Sequence, residues 1–168
     1  MKSTAKSNGA HGEPAPNCAG KRFAIVAARF YRDLTDQLVD GAKRALAECG
    51  VAGDDIISYD VPGCFELPLA CQKLIDSESV DAVVALGVVI RGETPHFDFV
   101  AGECARGIMD VQLATSVPIG FGVLTTENLA QAQERADPGR GDKGYEAAMA
   151  AAALLLIPRS VPRAGFRS

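Results

Sequence analysis

The stretch AVVALGVVI, Ala82–Ile90, decides the fold of this chain because it holds nine consecutive residues without a polar side chain. An uninterrupted apolar run of this length is typical of a strand that is buried on both faces of a parallel sheet. We therefore predict a central strand here, covered by helices on both sides.

Three shorter apolar runs predict the other strands, namely Arg22–Ala28, Ile56–Val61 and Val117–Leu124. Apolar residues recur at helical spacing in five further segments: Leu34–Cys49, Leu67–Leu74, Pro95–Val111, Glu127–Ala136 with Thr126 as N-cap, and Tyr145 to about Ile157. This alternation predicts the α/β class: a three-layer sandwich with a four-stranded parallel sheet, helices on both faces and a flavodoxin-like arrangement. Ligands in such folds bind at the carboxyl ends of the strands.

Length and composition narrow the class of protein. The 168 residues fit one domain, expected at residues 21–157, with a mobile N-terminal tail at 1–20 and a C-terminal tail at 158–168. A net charge of −4 argues against nucleic acid as the partner, and no apolar run approaches the ~20 residues of a membrane span. Five cysteines without CxxC spacing predict reduced thiols in a cytoplasmic protein and no metal site.

The segment GVVIRGETPHFD, Gly87–Asp98, carries the most chemistry. Its loop of Gly92, Thr94 and backbone amides leads into a helix that begins at Pro95. Such a helix N-terminus binds anions through oriented N–H groups and the helix dipole. His96 would lie beside the anion, where its ring nitrogens transfer protons near neutral pH. From the pattern alone, the alternative is a plain strand–loop–helix junction with a surface histidine.

A second segment, VPGCFELP at Val61–Pro68, places Glu66 and the amides of Cys64 and Phe65 at another helix N-terminus. These groups suit a ligand with several hydroxyls; the alternative is that Glu66 only complements the helix dipole. Phe30, directly after the first strand, suits stacking on a flat heterocycle or, alternatively, ordinary packing.

Two cations follow later in the chain. Arg135 and Lys143 together supply positive charge for a phosphate, whereas each alone is an ordinary solvated cation. A different enzyme class, a cysteine hydrolase with Cys64 and His96, also stays open. It requires a strained nucleophile turn, and the sequence GCFE lacks the second glycine of such an elbow.

These segments occur in the order found in lumazine synthases, the family that the chain resembles over about residues 22–156. The resemblance is carried by ARF at Ala28–Phe30, VPGCFELP at Val61–Pro68, GVVIRGETPHFD at Gly87–Asp98, FGVLTTENLAQAQERA at Phe121–Ala136 and DKGYEAA at Asp142–Ala148. It implies a transferase of riboflavin biosynthesis that needs no cofactor or metal. Such an enzyme condenses 5-amino-6-ribitylamino-pyrimidinedione with 3,4-dihydroxy-2-butanone 4-phosphate to give 6,7-dimethyl-8-ribityllumazine, phosphate and water.

The resemblance also implies a role for each site residue. Phe30 would stack on the pyrimidine ring, Glu66 would hold the ribityl chain, and the backbone of Gly92–Thr94 would hold the phosphate. His96 would transfer protons, and Arg135 would pair with the phosphate. Substrate binding is implied for Phe30, Gly63, Cys64, Phe65, Glu66, Val88, Val89, Ile90, Gly92, Glu93, Thr94, Phe121 and Lys143, and catalysis for His96 and Arg135.

The family's site lies between neighbouring subunits, so the resemblance implies that Phe121, Arg135 and Lys143 come from the adjacent chain. It implies a homo-oligomer, a pentamer that in some members closes into a shell of sixty subunits. Two residues depart from the family pattern: Tyr31 stands where many members have Asn, and Glu93 adds a carboxylate that we expect to point away from the phosphate. A non-catalytic flavin-binding or shell-forming homologue, and a relative that dismutates lumazine, are the alternatives.

Overall fold

Four parallel strands form the single sheet of the computed structural model, which describes residues 13–158. The strands are β1 (Phe23–Ala28), β2 (Ile56–Val61), β3 (Ala82–Ile90) and β4 (Ile119–Thr126). Their order across the sheet is β2-β1-β3-β4, so β3 lies between two neighbours, and all of its residues except the last are buried. The predicted parallel sheet and the central position of β3 are confirmed.

Five helices cover the two faces of the sheet: α1 (Arg32–Glu48), α2 (Leu67–Ser77), α3 (His96–Thr115), α4 (Leu129–Ala136) and α5 (Lys143–Leu155). Helices α1, α4 and α5 share one apolar core, and α2 and α3 share the other. Side chains of β3 alternate between the two cores, as the period of a strand requires: Val84 and Leu86 face the first core, whereas Val83 and Ala85 face the second. The three-layer sandwich is therefore confirmed.

The contact between α1 and α5 is unusually close because Gly144 has no side chain. A Cβ at this position would overlap with the backbone of Leu38. Beside this contact, Arg44 donates to both carboxylate oxygens of Asp142, at distances of 3.1 and 2.8 Å. Helix α5 begins at the next residue, Lys143, so this ion pair anchors the start of the helix.

Two boundaries at the end of the sheet differ from the expectation. The expected strand Val117–Leu124 begins only after Pro118, which has no N–H for the ladder, and it continues to Thr126, where it still pairs with β3. Thr126 is therefore a strand residue, and the prediction that it caps the next helix was wrong. Asn128 caps α4, since its side chain accepts a hydrogen bond of 2.9 Å from a first-turn amide.

Cys18 connects the segment before β1 to the body of the domain. Its side chain is buried, and its backbone N–H donates to the carbonyl of Cys49 over 2.8 Å. The packed part of the chain thus begins before residue 21, within the expected tail. Residues 1–12 and 159–168, which make up most of the two expected tails, lie outside the described residues.

Candidate functional site

A cavity of about 540 Å³ opens at the carboxyl ends of β1, β2 and β3, where the fold predicts ligand binding. Its volume is within the range of small-molecule sites. The cavity is lined by eleven of the predicted site residues: Phe30, Gly63, Cys64, Phe65, Glu66, Val88, Val89, Ile90, Gly92, Thr94 and His96. Glu93 is exposed and is not one of the lining residues, and the direction of its carboxylate stays a prediction.

Phe30 presents its ring to solvent, with 76 % of the residue exposed. Tyr31 lies against it edge-on, with ring centroids 5.0 Å apart and an angle of 69° between the rings, and also lines the cavity. A ring with this exposure contributes little to the core. The geometry therefore favours stacking on a flat ligand over the packing role that the sequence left open.

The loop that carries Phe30 is held from two sides. Arg29 donates to Asp60 on β2 at 2.8 Å and to Asp36 on α1 at 2.5 Å. The hydroxyl of Thr35 donates to the carbonyl that ends β1, over 2.8 Å. These contacts fix the backbone next to the exposed ring to the sheet and to α1.

The segment between β2 and α2 forms a single 3₁₀ turn, Cys64–Glu66. The amide of Gly63 donates to the carboxylate of Glu66 at 3.0 Å, so this side chain does stabilise the turn. A carboxylate has about four lone-pair positions, so capacity remains for ligand hydroxyls. The turn approaches β3 closely because Gly87 lacks a side chain: a Cβ there would lie 2.5 Å from Sγ of Cys64.

The loop of residues 91–95 is exposed and leads directly into α3. Pro95 occupies the N-cap position, where its side chain cannot accept a hydrogen bond from the first turn. Two first-turn amides donate within the chain, that of His96 to the hydroxyl of Thr94 at 3.4 Å and that of Asp98 to the carbonyl of Pro95 at 3.0 Å. The positive end of the helix dipole points towards the loop and favours an anion there. His96 is exposed as the first residue of the helix.

The cavity is almost free of charge. No Lys or Arg of residues 13–158 lines it, and its one carboxylate is that of Glu66. Burial raises the pKa of the Cys64 thiol to about 12, so this group is a neutral thiol at physiological pH. A cysteine hydrolase depends on a thiolate, and the structure therefore argues against that alternative.

The three remaining predicted residues, Phe121, Arg135 and Lys143, line a second concavity of about 520 Å³ between β4, α4 and α5. It shares no residue with the first cavity. Strand β4 is an edge of the sheet, and Phe121 projects from it with 44 % of the residue exposed. Lys143 donates to Glu146 at 2.7 Å, and Arg135 donates to the carbonyl of Gln131 at 3.1 Å. One chain alone does not bring the cations to the first cavity.

Three cavity residues on α3 had not been predicted as part of the site. Phe97 and Val100 belong to the apolar stripe of the helix, and both are half-buried, so they contact the core and the cavity together. Phe99 lies off that stripe and is 67 % exposed. An aromatic residue off the buried stripe of a helix is the sequence signal that indicates this position.

The described residues offer neither of two other kinds of site. No group of three or more His, Cys, Asp or Glu side chains among residues 13–158 is arranged to hold a metal ion. Within the same range, no helix has both the length and the apolar character to cross a membrane.

Comparisons with known proteins agree on one family. A family model described as 6,7-dimethyl-8-ribityllumazine synthase matches residues 20–159. A protein of that name from Syntrophus aciditrophicus (strain SB) is 47% identical over 142 residues, which are 84% of this chain and 92% of the relative. A protein of the same name from Chlorobium limicola is 49% identical, over 82% of this chain and 89% of the relative. Another, from Gemmatimonas aurantiaca, is 48% identical, over 88% of this chain and 90% of the relative. The chain therefore belongs to the 6,7-dimethyl-8-ribityllumazine synthase family.

Proposed function

We propose that this protein condenses 5-amino-6-ribitylamino-pyrimidinedione with 3,4-dihydroxy-2-butanone 4-phosphate to give 6,7-dimethyl-8-ribityllumazine, phosphate and water in riboflavin biosynthesis. The ring amine attacks the ketone and forms an imine with loss of water. Loss of phosphate then gives an enol, which tautomerises to a ketone. The second nitrogen attacks this carbonyl and closes the ring with loss of a second water. The substrates contain their own nucleophile and leaving group, so the protein has to orient them and transfer protons.

The observation that carries this proposal is a cavity that holds an exposed aromatic ring next to the N-terminus of α3, a position that favours anions. Phe30 would stack on the pyrimidine ring, and the backbone of Val89–Ile90 would bond to its polar edge. Glu66 and the amides of Cys64 and Phe65 would hold the ribityl hydroxyls. A neutral, polyhydroxylated heterocycle matches the low charge of the lining.

The phosphate of the four-carbon substrate would bind to the amides of Gly92–Thr94 and the first turn of α3. This places its ketone towards the stacked ring, so that the two reacting atoms meet inside the cavity. His96, beside the phosphate, would transfer protons during imine formation and phosphate loss. Positioning would supply most of the acceleration, because the side-chain chemistry is limited to one histidine.

Arg135, Lys143 and Phe121 would complete the site from a neighbouring chain. Support comes from the exposure of Phe121 on an edge strand and from the location of both cations outside the first cavity. We propose a pentamer in the cytoplasm, a reducing compartment that suits the five buried, unpaired thiols of the described chain. Sedimentation velocity separates a pentamer from a shell of sixty subunits.

The test is to mix the pure protein with both substrates, without metal or cofactor, and to follow lumazine fluorescence and phosphate release together. Equal amounts of the two products, formed faster than in the uncatalysed mixture, are the expected result. Riboflavin binding without turnover would instead identify a flavin-binding homologue. Riboflavin formed from lumazine alone would identify a dismutating relative.

A further inference from the structure

Arg91, the residue directly after β3, is enclosed by two carboxylates and an aromatic ring. Its Nε donates to Glu127 at 2.8 Å, and its Nη1 donates to Asp98 at 3.2 Å. The guanidinium lies over Phe97, 4.3 Å from the centroid of the ring. The backbone amide of Arg91 also donates to the carbonyl of Thr126 at 2.9 Å, so both parts of the residue are held.

These contacts connect elements that are distant in sequence. Glu127 directly follows β4, whereas Asp98 and Phe97 belong to the first turn of α3. The side chain of Arg91 therefore ties the end of β4 to the start of α3 across the base of the loop of residues 92–95. A planar guanidinium suits this task, because it donates in two directions and stacks on a ring at the same time.

The charges around the loop give Arg91 a second role. Two carboxylates, Glu93 and Asp98, lie close in sequence to the proposed phosphate position, and a third, Glu127, is brought to this end of the sheet, where it pairs with Arg91. Arg91 pairs with two of them, and no Lys or Arg of the described chain lines the cavity itself. Without Arg91 those two carboxylates would be unpaired beside the bound phosphate, to which the cavity of the same chain contributes no cation of its own.

We propose that Arg91 is a positioning residue for the phosphate-bearing substrate, an inference that rests on the proposed function. It fixes the loop of residues 92–95 and the first turn of α3, and it neutralises Asp98 and Glu127. Its guanidinium contacts the ring of Phe97, which lines the cavity, but Arg91 itself is not one of the lining residues, so it would act through its neighbours and not by contact with the substrate.

The experiment compares Arg91→Ala with a matched control, Arg106→Ala. Arg106 is also an exposed arginine between two carboxylates, with distances of 2.6 Å to both Glu103 and Asp110, but it lies further along α3 and does not line the cavity. Exposed ion pairs contribute little to stability, so we expect both variants to fold. Thermal unfolding and the oligomeric state, measured for both, verify this.

For Arg91→Ala we expect the KM for the four-carbon phosphate to rise about tenfold, with little change in kcat or in the KM for the pyrimidine. The effect should shrink as ionic strength increases from about 0.01 to about 0.15 M, because salt screens the exposed carboxylates. Arg91→Lys should recover only part of the loss, since lysine restores the charge but not the fork. Adding Glu127→Gln to Arg91→Ala should also recover part of it.

Equal KM values for Arg91→Ala and Arg106→Ala would overturn the inference. So would a rise for both substrates alike, or a loss that neither salt nor Glu127→Gln affects. Calorimetric titration with inorganic phosphate separates this inference from the proposed function. If the wild type binds phosphate but forms no lumazine, weaker phosphate binding by Arg91→Ala than by Arg106→Ala supports a positioning role, and equal binding overturns it. A wild type that neither reacts nor binds phosphate overturns both proposals.

Discussion

The two concavities of the molecule have nearly equal volumes, about 540 and about 520 Å³, but opposite character. The first is lined by apolar side chains, exposed rings and strand-end backbone, and no Lys or Arg between residues 13 and 158 is among its lining residues. The second holds Arg135 and Lys143 on the outer edge of the sheet. Size therefore does not distinguish them, whereas charge does. The difference teaches that, under the proposed function, a phosphorylated substrate would be oriented by one surface of the chain and would meet positive charge on another.

The largest expected effect comes from removing the cation of the second concavity. Arg135→Ala should lower kcat/KM for the four-carbon phosphate about 100-fold, because a charge-assisted contact to phosphate is lost. Arg140→Ala is the matched control, since this exposed arginine lies in the following loop, pairs with Glu134 at 3.7 Å and does not line the concavity. Steady-state kinetics with varied phosphate substrate measure both. Equal activity of the two variants would remove the second concavity from the site.

His96 tests the chemistry of the first cavity. His96→Ala and His96→Gln should both lower kcat by roughly 10- to 100-fold, because positioning by the rest of the site is retained and only proton transfer is lost. Single-turnover formation of lumazine is the measurement. A loss of kcat larger than a thousandfold would contradict the view that positioning supplies most of the acceleration, and would make His96 the dominant catalytic group.

Mixed assemblies test whether the two concavities of different chains form one site. Chains with Phe30→Ala and chains with Arg135→Ala should each be weakly active alone. After joint refolding in equal amounts, about a quarter of the interfaces pair two intact surfaces, so activity should recover to about a quarter of the wild-type value. If both residues acted within one chain, the mixture would show only the mean activity of the two variants.

The smallest expected effect is that of Cys64→Ala. The thiol lines the first cavity but stays neutral, because burial raises its pKa to about 12. Turnover should therefore remain within about twofold of the wild type, with an unchanged pH profile between about pH 6 and 8. A large loss, or the disappearance of an ionisation from that profile, would revive a nucleophilic role for this cysteine.

The sequence predicts the sheet well because buried parallel strands are continuous apolar runs, as Ala82–Ile90 illustrates. It also predicts the rim of the first cavity, since the carboxyl ends of parallel strands share one edge. Boundaries were less certain where local signals compete: Thr126 has the chemistry of an N-cap, but pairing with β3 keeps it in the strand. That pairing is a long-range interaction, which spacing along the chain does not reveal.

Other features depend on contacts between distant segments and could not be predicted. Arg91 and Glu127 form an ion pair although they are 36 positions apart, and the sequence around each residue does not indicate that the two meet. Arg135 is likewise separated from the cavity that His96 lines, because α4 and α3 cover opposite faces of the sheet. The resemblance to a family implied that separation, whereas residue patterns alone did not.

The burial of Cys64 also bears on which reactions the cavity permits. Because burial raises its pKa to about 12, the Cys64 thiol is almost entirely protonated at neutral pH. Under the proposed function, a ketone bound in this cavity would therefore encounter almost no thiolate, although sulfur would otherwise be the strongest nucleophile in the lining. Competing addition to the carbonyl would be suppressed, and the amine of the second substrate would be left as the effective attacking group. The burial of this cysteine would thus protect the fidelity of a reaction in which the thiol takes no part.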